Sequence, residues 1–318
     1  MSNSILFIAI ALPVCLAIVV TSANFFVKGA VAIAQRLSVP EFIVGAIIIA
    51  IGTSAPEIAI NVSAVLENAG DIVISNIVGS NIVNVGLGIG IAGMLLKFEK
   101  TQPAYTRTVA LSGIGAGALL LSTLITSNNG TATMMLPFSC LLLLAFACFM
   151  YSSLISSKPE DSGEDFYTDI RLWIAALMVL IGAAAMAIFS NLAVGYAVLL
   201  SKLMGIPEAV IGATVIAAGG SLPEVSSCIA AARLKRPNLI LGNIAGSQVF
   251  NILGILGLSG VIGTFKYAKY LWIDITILIV MTLVLLLCMN RAAPRKFTGP
   301  LLFSGYTVYA AYLILIAF

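Results

Sequence analysis

The stretch "SVPEFIVGAIIIAIGTSAPE", residues 38–57, runs apolar from Phe42 to Ile51 and then ends on glycine, proline and glutamate. It aligns without a gap on "GIPEAVIGATVIAAGGSLPE", residues 205–224, with identity at 10 of 20 positions. The same offset of 167 residues then aligns "DIVISNIVGSNIVNVGLGIG" (71–90) with "NLILGNIAGSQVFNILGILG" (238–257). A constant offset through two blocks marks an internal duplication. Apolar bias alone does not reproduce proline, glutamate and asparagine at fixed positions.

The environment of these blocks follows from composition. Of the 318 residues, 60% are hydrophobic and 9% charged, with a mean hydropathy of +1.11, too few charges to solubilise a globule of this size. The chain therefore reads as an all-α polytopic membrane protein whose first partner is the lipid bilayer. The opening "MSNSILFIAIALPVCLAIVV" lacks a basic start and stays apolar too long for a cleaved signal, so it reads as the first span. Five cysteines without a CxxC pair read as inert core thiols, and the absence of histidine removes imidazole metal sites and histidine proton relays. A small, dispersed net charge of +3 argues against nucleic acid as a partner, and no obligatory protein partner is evident.

Apolar runs long enough for a hydrocarbon core of about 30 Å predict ten spans, near 5–34, 41–66, 71–96, 105–126, 132–152, 170–200, 208–233, 238–264, 270–290 and 298–317. With this count, Lys202, Lys266 and Lys269 fall on one side of the membrane and the other 13 of the 16 basic residues on the opposite side. Basic residues collect in cytoplasmic loops, so both termini are expected outside. Residues 1–152 form a first five-span repeat and 170–318 a second, joined by a polar cytoplasmic linker at 153–169. An odd number of spans per copy makes the second copy enter from the opposite face, so the repeats are expected to be inverted. In such an arrangement the working site lies near the midplane, where discontinuous helices of the two halves meet.

Pro56 has no N–H for the carbonyl of Gly52, and Pro223 none for that of Gly219, so spans two and seven must kink or open there. At about 1.5 Å per residue from position 41, Gly52 lies roughly 16 Å deep, about half of the core thickness. Carbonyls around 50–52 and 217–219, with the hydroxyls of Thr53, Ser54 and Ser221, are expected to face one another there. Glu57 and Glu224 follow each proline. An ionisable residue inside a span is costly and by default functional, and no Lys or Arg at that depth is available as a partner. Two such carboxylates repel unless a cation sits between them. Spans three and eight add Asn76, Ser80 and Asn84, with Asn243, Ser247 and Asn251, at spacings of four that share a helix face. All of these donors are oxygens, which suit hard cations such as Ca²⁺, Mg²⁺ or Na⁺.

At these residues, "GTSAPE" with "GSNIVN" and "GGSLPE" with "GSQVFN", the chain resembles the calcium/cation antiporter superfamily, most closely its prokaryotic sodium/calcium exchangers. The resemblance implies antiport of Ca²⁺ against Na⁺ at one shared cluster, with no cofactor and no enzymatic reaction. It implies Glu57 and Glu224 as central ligands, with Ala50, Thr53, Ser54, Ser80, Asn84, Ala217, Ser221, Ser247 and Asn251 around them. It also implies that the first and sixth spans slide against the remaining bundle. The chain departs from the family pattern at Gly220, where a threonine is usual. It departs again at Asn251, where potassium-dependent relatives carry aspartate. The sequence leaves open a Ca²⁺/H⁺ antiporter using the same two glutamates and, more remotely, a passive cation channel. An intramembrane aspartyl hydrolase would show a GxGD segment, which is absent.

Overall fold

Large apolar side chains cover much of the outside of this molecule, and a group of polar ones is buried within its apolar core. Phe7, Leu121, Leu180 and Val308 are exposed, whereas Glu57, Asn61, Asn84, Glu224, Ser247 and Asn251 are fully buried. That inversion of the soluble pattern is what a lipid solvent selects, since backbone and side-chain polar groups must find partners inside the protein. The computed structural model describes residues 2–96, 103–155, 169–205, 217–289 and 297–316.

Among the described residues, eight helices are long and apolar enough to cross a membrane, and a bent pair brings the number to nine. In chain order the helices are α1 (Ser2–Leu37), α2 (Glu41–Thr53), α3 (Ala55–Leu66), α4 (Gly70–Leu95), α5 (Pro103–Ile125), α6 (Leu136–Ile155), α7 (Leu172–Leu203), α8 (Ala217–Gly220), α9 (Leu222–Arg233), α10 (Pro237–Ile262), α11 (Trp272–Met289) and α12 (Thr298–Ile316). The expected span 208–233 is represented by α8 and α9, and its first part lies outside the described residues, as does most of the 153–169 linker. Two long helices lie at the periphery: only 28% of the most apolar stretch of α1 and of α7 is buried, against 94% for α10 and 72% for α4. At about 1.5 Å per residue both exceed the hydrocarbon thickness and must tilt.

Small residues set the closest helix crossings. A Cβ on Gly45 in α2 would come within 2.7 Å of the Leu239 carbonyl in α10. A Cβ on Gly242 or Gly246 of α10 would collide with the backbone of Phe42 or Ala46. The two backbones therefore touch directly, the arrangement that small residues permit in apolar surroundings. Gly29 and Gly182 do the same for α1 and α7, where added Cβ atoms would sit 2.8 Å from the Ala175 carbonyl and 2.7 Å from the Phe26 Cβ. The Arg36 Nε also donates to the Ile170 carbonyl, at 2.9 Å, tying the end of α1 to the start of α7.

The sequence gives no warning of two further features. Thr131–Met134 (β1) pairs antiparallel with Phe265–Ala268 (β2), so a short two-stranded sheet joins the α5–α6 connection to the α10–α11 connection. The Asn129-Gly130 turn, with φ of 47° and 83°, lets the chain reverse into β1. The expected fifth span at 132–152 thus begins only at Leu136, because its first residues are used in the strand. The cysteines also divide: Cys15, Cys228 and Cys288 are buried, but Cys140 and Cys148 are exposed on α6. The core-thiol reading fails for those two because an apolar run fixes depth in the membrane, not which helix face meets lipid.

Candidate cation site

Pro56 and Pro223 break their helices as their chemistry requires. The axes of α2 and α3 differ by 49°, with Ser54 alone between them at φ −86°, ψ 12°. Ser221 separates α8 from α9 with nearly the same dihedrals, φ −92° and ψ 14°. Each proline then falls in the first turn of the following helix, where a missing N–H costs nothing. The carbonyls upstream of the first break are not all freed. The Ala50 carbonyl accepts the Ser54 N–H at 3.0 Å and the Thr53 hydroxyl at 3.3 Å, and the Thr53 hydroxyl also reaches the Ile49 carbonyl at 3.0 Å. The Thr53 hydroxyl has one hydrogen and serves one of these carbonyls at a time; its own oxygen keeps lone pairs for another partner, and the Ala50 carbonyl is open to one when the hydroxyl turns to Ile49.

Ser54-Ala-Pro-Glu57 and Ser221-Leu-Pro-Glu224 both read as capping boxes, in which the serine would cap its own helix. Neither serine does so. The Ser54 Oγ instead donates to the Glu224 Oε1, at 3.0 Å, across the two halves of the molecule. The Ser80 Oγ on α4 donates to the Glu57 Oε1 at 3.4 Å. Both glutamates are 0% exposed, and the second carboxylate oxygen of each has no partner. Among the described residues neither has a Lys or Arg partner; the half-buried Arg236 pairs with Glu41 at 2.8 Å instead. Buried, unpartnered oxygens recur at Ser221, Ser247, Asn84 and Asn251, so carboxylate, hydroxyl and carboxamide acceptors share the interior, and among the described residues no Lys or Arg is buried with them. Such a set of oxygens fits a hard cation.

Pi-helical turns explain how the asparagines come to lie there. Asn84–Ile89 and Phe250–Ile255 are π-helical segments in the middle of α4 and α10, and Gly45–Ile49 is a third, in α2, before the break. A π turn inserts one residue into the α-helical register, re-aims the side chains around it and is frequent at functional positions. Asn84 and Asn251 are separated by the 167-residue offset and both lie in such a turn.

Every sequence-predicted residue that the structure describes lies on α2–α4 or α8–α10. Thr53, Ser54, Glu57, Ser80, Asn84, Ser221, Glu224, Ser247 and Asn251 are buried, as is Ala50, and Ala217 opens α8. The shell residues Asn76 and Asn243 behave differently. Asn76 is only half-buried, and the Asn243 Nδ2 contacts the Cys228 Sγ at 3.5 Å. Sequence reasoning missed Asn61, Asn81 and Gln248, all fully buried. Asn61 lies one turn beyond Glu57, and its Nδ2 donates to the Glu57 carbonyl at 2.8 Å. Asn81 and Gln248 occupy the same position of the two repeats, which is the signal that could have found them.

Comparison with known proteins gives a consistent result. The family described as sodium/calcium exchanger protein matches residues 7–155 and 174–315, nearly the whole chain. The inner membrane protein YrbG of Escherichia coli (strain K12) is 29% identical over 321 residues, covering 95% of each chain. The sodium/calcium exchanger MaX1 of Methanosarcina acetivorans is 29% identical over 344 residues, covering 95% of this chain and 97% of that one. The solved structure of the sodium-calcium exchanger NCX_Mj shares the fold, with a TM-score of 0.81 over 96% of this chain and 99% of that one, at 23% identity. The chain belongs to the sodium/calcium exchanger protein family, whose members are integral membrane antiporters.

Proposed function

We propose that this protein exchanges Ca²⁺ for Na⁺ by alternating access at one cluster centred on Glu57 and Glu224. The observation that carries the reading is the pair of fully buried carboxylates. Each is held through one oxygen by a serine hydroxyl and leaves the other oxygen unpartnered, with no cationic side chain among the described residues to neutralise it. Two carboxylates match the charge of one divalent cation. Thr53, Ser54, Ser80, Asn84, Ser221, Ser247 and Asn251, with the carbonyls of Ala50 and Ala217, are the remaining ligands in this reading. They also favour Na⁺ as the driving ion, because a proton needs one carboxylate oxygen and Na⁺ needs a shell of five or six. The relative MaX1, named a sodium/calcium exchanger, supports the same choice.

Radiolabelled Ca²⁺ uptake into proteoliposomes under separately imposed gradients is the test. An outward Na⁺ gradient is expected to drive uptake and a proton gradient of equal size is not. Uptake driven by protons alone would move the assignment to a Ca²⁺/H⁺ antiporter.

The architecture in this proposal is ten spans in two inverted repeats, 1–152 and 170–318, joined by 153–169. The equal order of elements at the 167-residue offset supports it: Ala55–Leu66 and Gly70–Val83 correspond to Leu222–Arg233 and Pro237–Val249, each pair followed by a π-helical segment. With both termini outside, the linker is cytoplasmic. In a variant lacking the five native cysteines, Ser162→Cys should resist an impermeant thiol reagent added to intact cells and react after lysis. Labelling from outside reverses the orientation.

Gly220 stands where Thr53 stands in the first copy, so the second half offers one hydroxyl fewer. A Cβ at this position would meet nothing within 4 Å. Gly220→Thr is therefore expected to fold. A monovalent ion has less charge than Ca²⁺ to offset dehydration and loses more from a missing ligand. The substitution should lower the Na⁺ concentration for half-maximal Ca²⁺ exchange by about 3- to 10-fold, the worth of one polar contact, with a smaller change in Ca²⁺ affinity. An unchanged Na⁺ dependence in the folded variant would show that the site is completed by other groups.

A further inference from the structure

We propose that Asn81 is a positioning residue that fixes which end of the Asn251 carboxamide faces the transported cation. The inference rests on the reading of the Glu57–Glu224 cluster as the transport site. A carboxamide has an oxygen end that binds a cation and an NH₂ end that repels one, and the two ends are nearly equal in shape. Packing alone therefore cannot choose between them. A half-turn of the amide would exchange a ligand for a repulsive group without moving any neighbour. Selection has to come from a hydrogen bond.

Asn81 supplies it. The Asn251 Nδ2 donates to the Asn81 Oδ1 at 3.3 Å, both residues are fully buried, and the Asn251 Oδ1 is left without a partner. The NH₂ end is thus engaged by α4 and the oxygen end is free for the cation; the Asn81 Nδ2 has no partner either, so the two amides hold this sense as a pair and reversing it requires both to turn together. Burial strengthens the selection, since no water competes for the NH₂ group.

The repeat shows that this device exists in one half only. The residue equivalent to Asn81 is Gln248, whose Nε2 turns to the Thr282 Oγ1 at 3.5 Å rather than to Asn84. Both polar atoms of the Asn84 carboxamide are unpartnered. The position 167 residues before Thr282 is Gly115, which has no hydroxyl to draw Asn81 away in the same manner. Asn251 is therefore a fixed oxygen ligand and Asn84 an adjustable one. An aspartate has two equal oxygens and needs no orienting partner, whereas an asparagine at this place does.

That difference gives the test, a double-mutant cycle read by the half-saturating Ca²⁺ concentration for exchange in proteoliposomes and by Ca²⁺ binding to the purified protein. Asn81→Leu preserves the shape but accepts no hydrogen bond, and is expected to raise the half-saturating concentration by about 5- to 10-fold. Asn81→Ala should do the same and serves if the Leu variant does not fold. In an Asn251→Asp background the same substitution at residue 81 should change it by less than about 2-fold, because a carboxylate has no wrong end. A purely structural role for Asn81 predicts equal losses in both backgrounds. Equal losses, or no loss in the Asn251 background, overturn the proposal. The underlying site reading fails separately, if Asn251→Leu or Glu57→Gln binds Ca²⁺ as the unmodified protein does.

Discussion

Glu57→Gln and Glu224→Gln should each abolish Ca²⁺ exchange while leaving the protein folded and inserted. Glutamine keeps the shape of the side chain and one oxygen that can still accept the serine hydroxyl, from Ser80 at residue 57 and from Ser54 at residue 224. The scaffold is therefore kept and only the charge is lost. Leaving one of two opposed buried charges without its partner costs about 2–5 kcal/mol, or roughly 30- to 4,000-fold in affinity. The variant presents a single negative charge to a dication and an amide NH₂ in its neighbourhood. The measurement is Na⁺-driven Ca²⁺ uptake at matched reconstitution, with gel-filtration profiles to establish folding. Uptake at the unmodified rate in either variant would remove these carboxylates from the transport path.

The second large effect is expected in the scaffold, at the crossing of α2 and α10. A Cβ at Gly246 would overlap the main chain of Ala46, and one at Gly242 the main chain of Phe42. Ordinary overpacking against side chains costs about 1–3 kcal/mol because rotamers give way. Here the obstacle is backbone, which cannot rotate aside without moving a whole helix. Gly246→Leu should therefore abolish the monodisperse folded species. Gly117→Ala, where an added Cβ meets nothing within 4 Å, should behave as the unmodified protein. The pair is compared by fluorescence-detected gel filtration in mild detergent and by the temperature at which each variant aggregates. A Gly246→Leu protein as stable as Gly117→Ala would mean that the two helices are farther apart than described. Because α2 ends just before Ser54 and α10 carries Ser247 and Asn251, the same close approach brings the two halves of the cluster together.

Much of this was legible before any tertiary information. Residues 38–57 and 205–224, with their second blocks, determine the duplication, the membrane environment and the places where the helices break, because each depends on local chemistry. Proline lacks an N–H wherever it stands, an apolar run of sufficient length crosses a bilayer, and a glutamate inside such a run needs a reason. The same rules miss the sheet at Thr131–Met134 and Phe265–Ala268 and the exposure of Cys140 and Cys148. A span read as a run of hydropathy has a depth but no lateral face.

What only the tertiary structure decided is how equal sequence motifs are used. By spacing alone, Ser54 and Glu57 match a capping box, and so do Ser221 and Glu224. In the folded molecule Ser54 serves Glu224, Ser80 serves Glu57, and Ser221 and Ser247 are left with unpartnered oxygens. Likewise Asn81 and Gln248 are equivalent by sequence, yet one holds Asn251 and the other turns to Thr282. A hydrogen bond goes to whichever acceptor is nearest in space. For these residues the nearest acceptor is more than a hundred residues away, or on another helix, and only the packing of α3 against α4, of α10 against α11 and of α2–α4 against α9 and α10 brings it within reach.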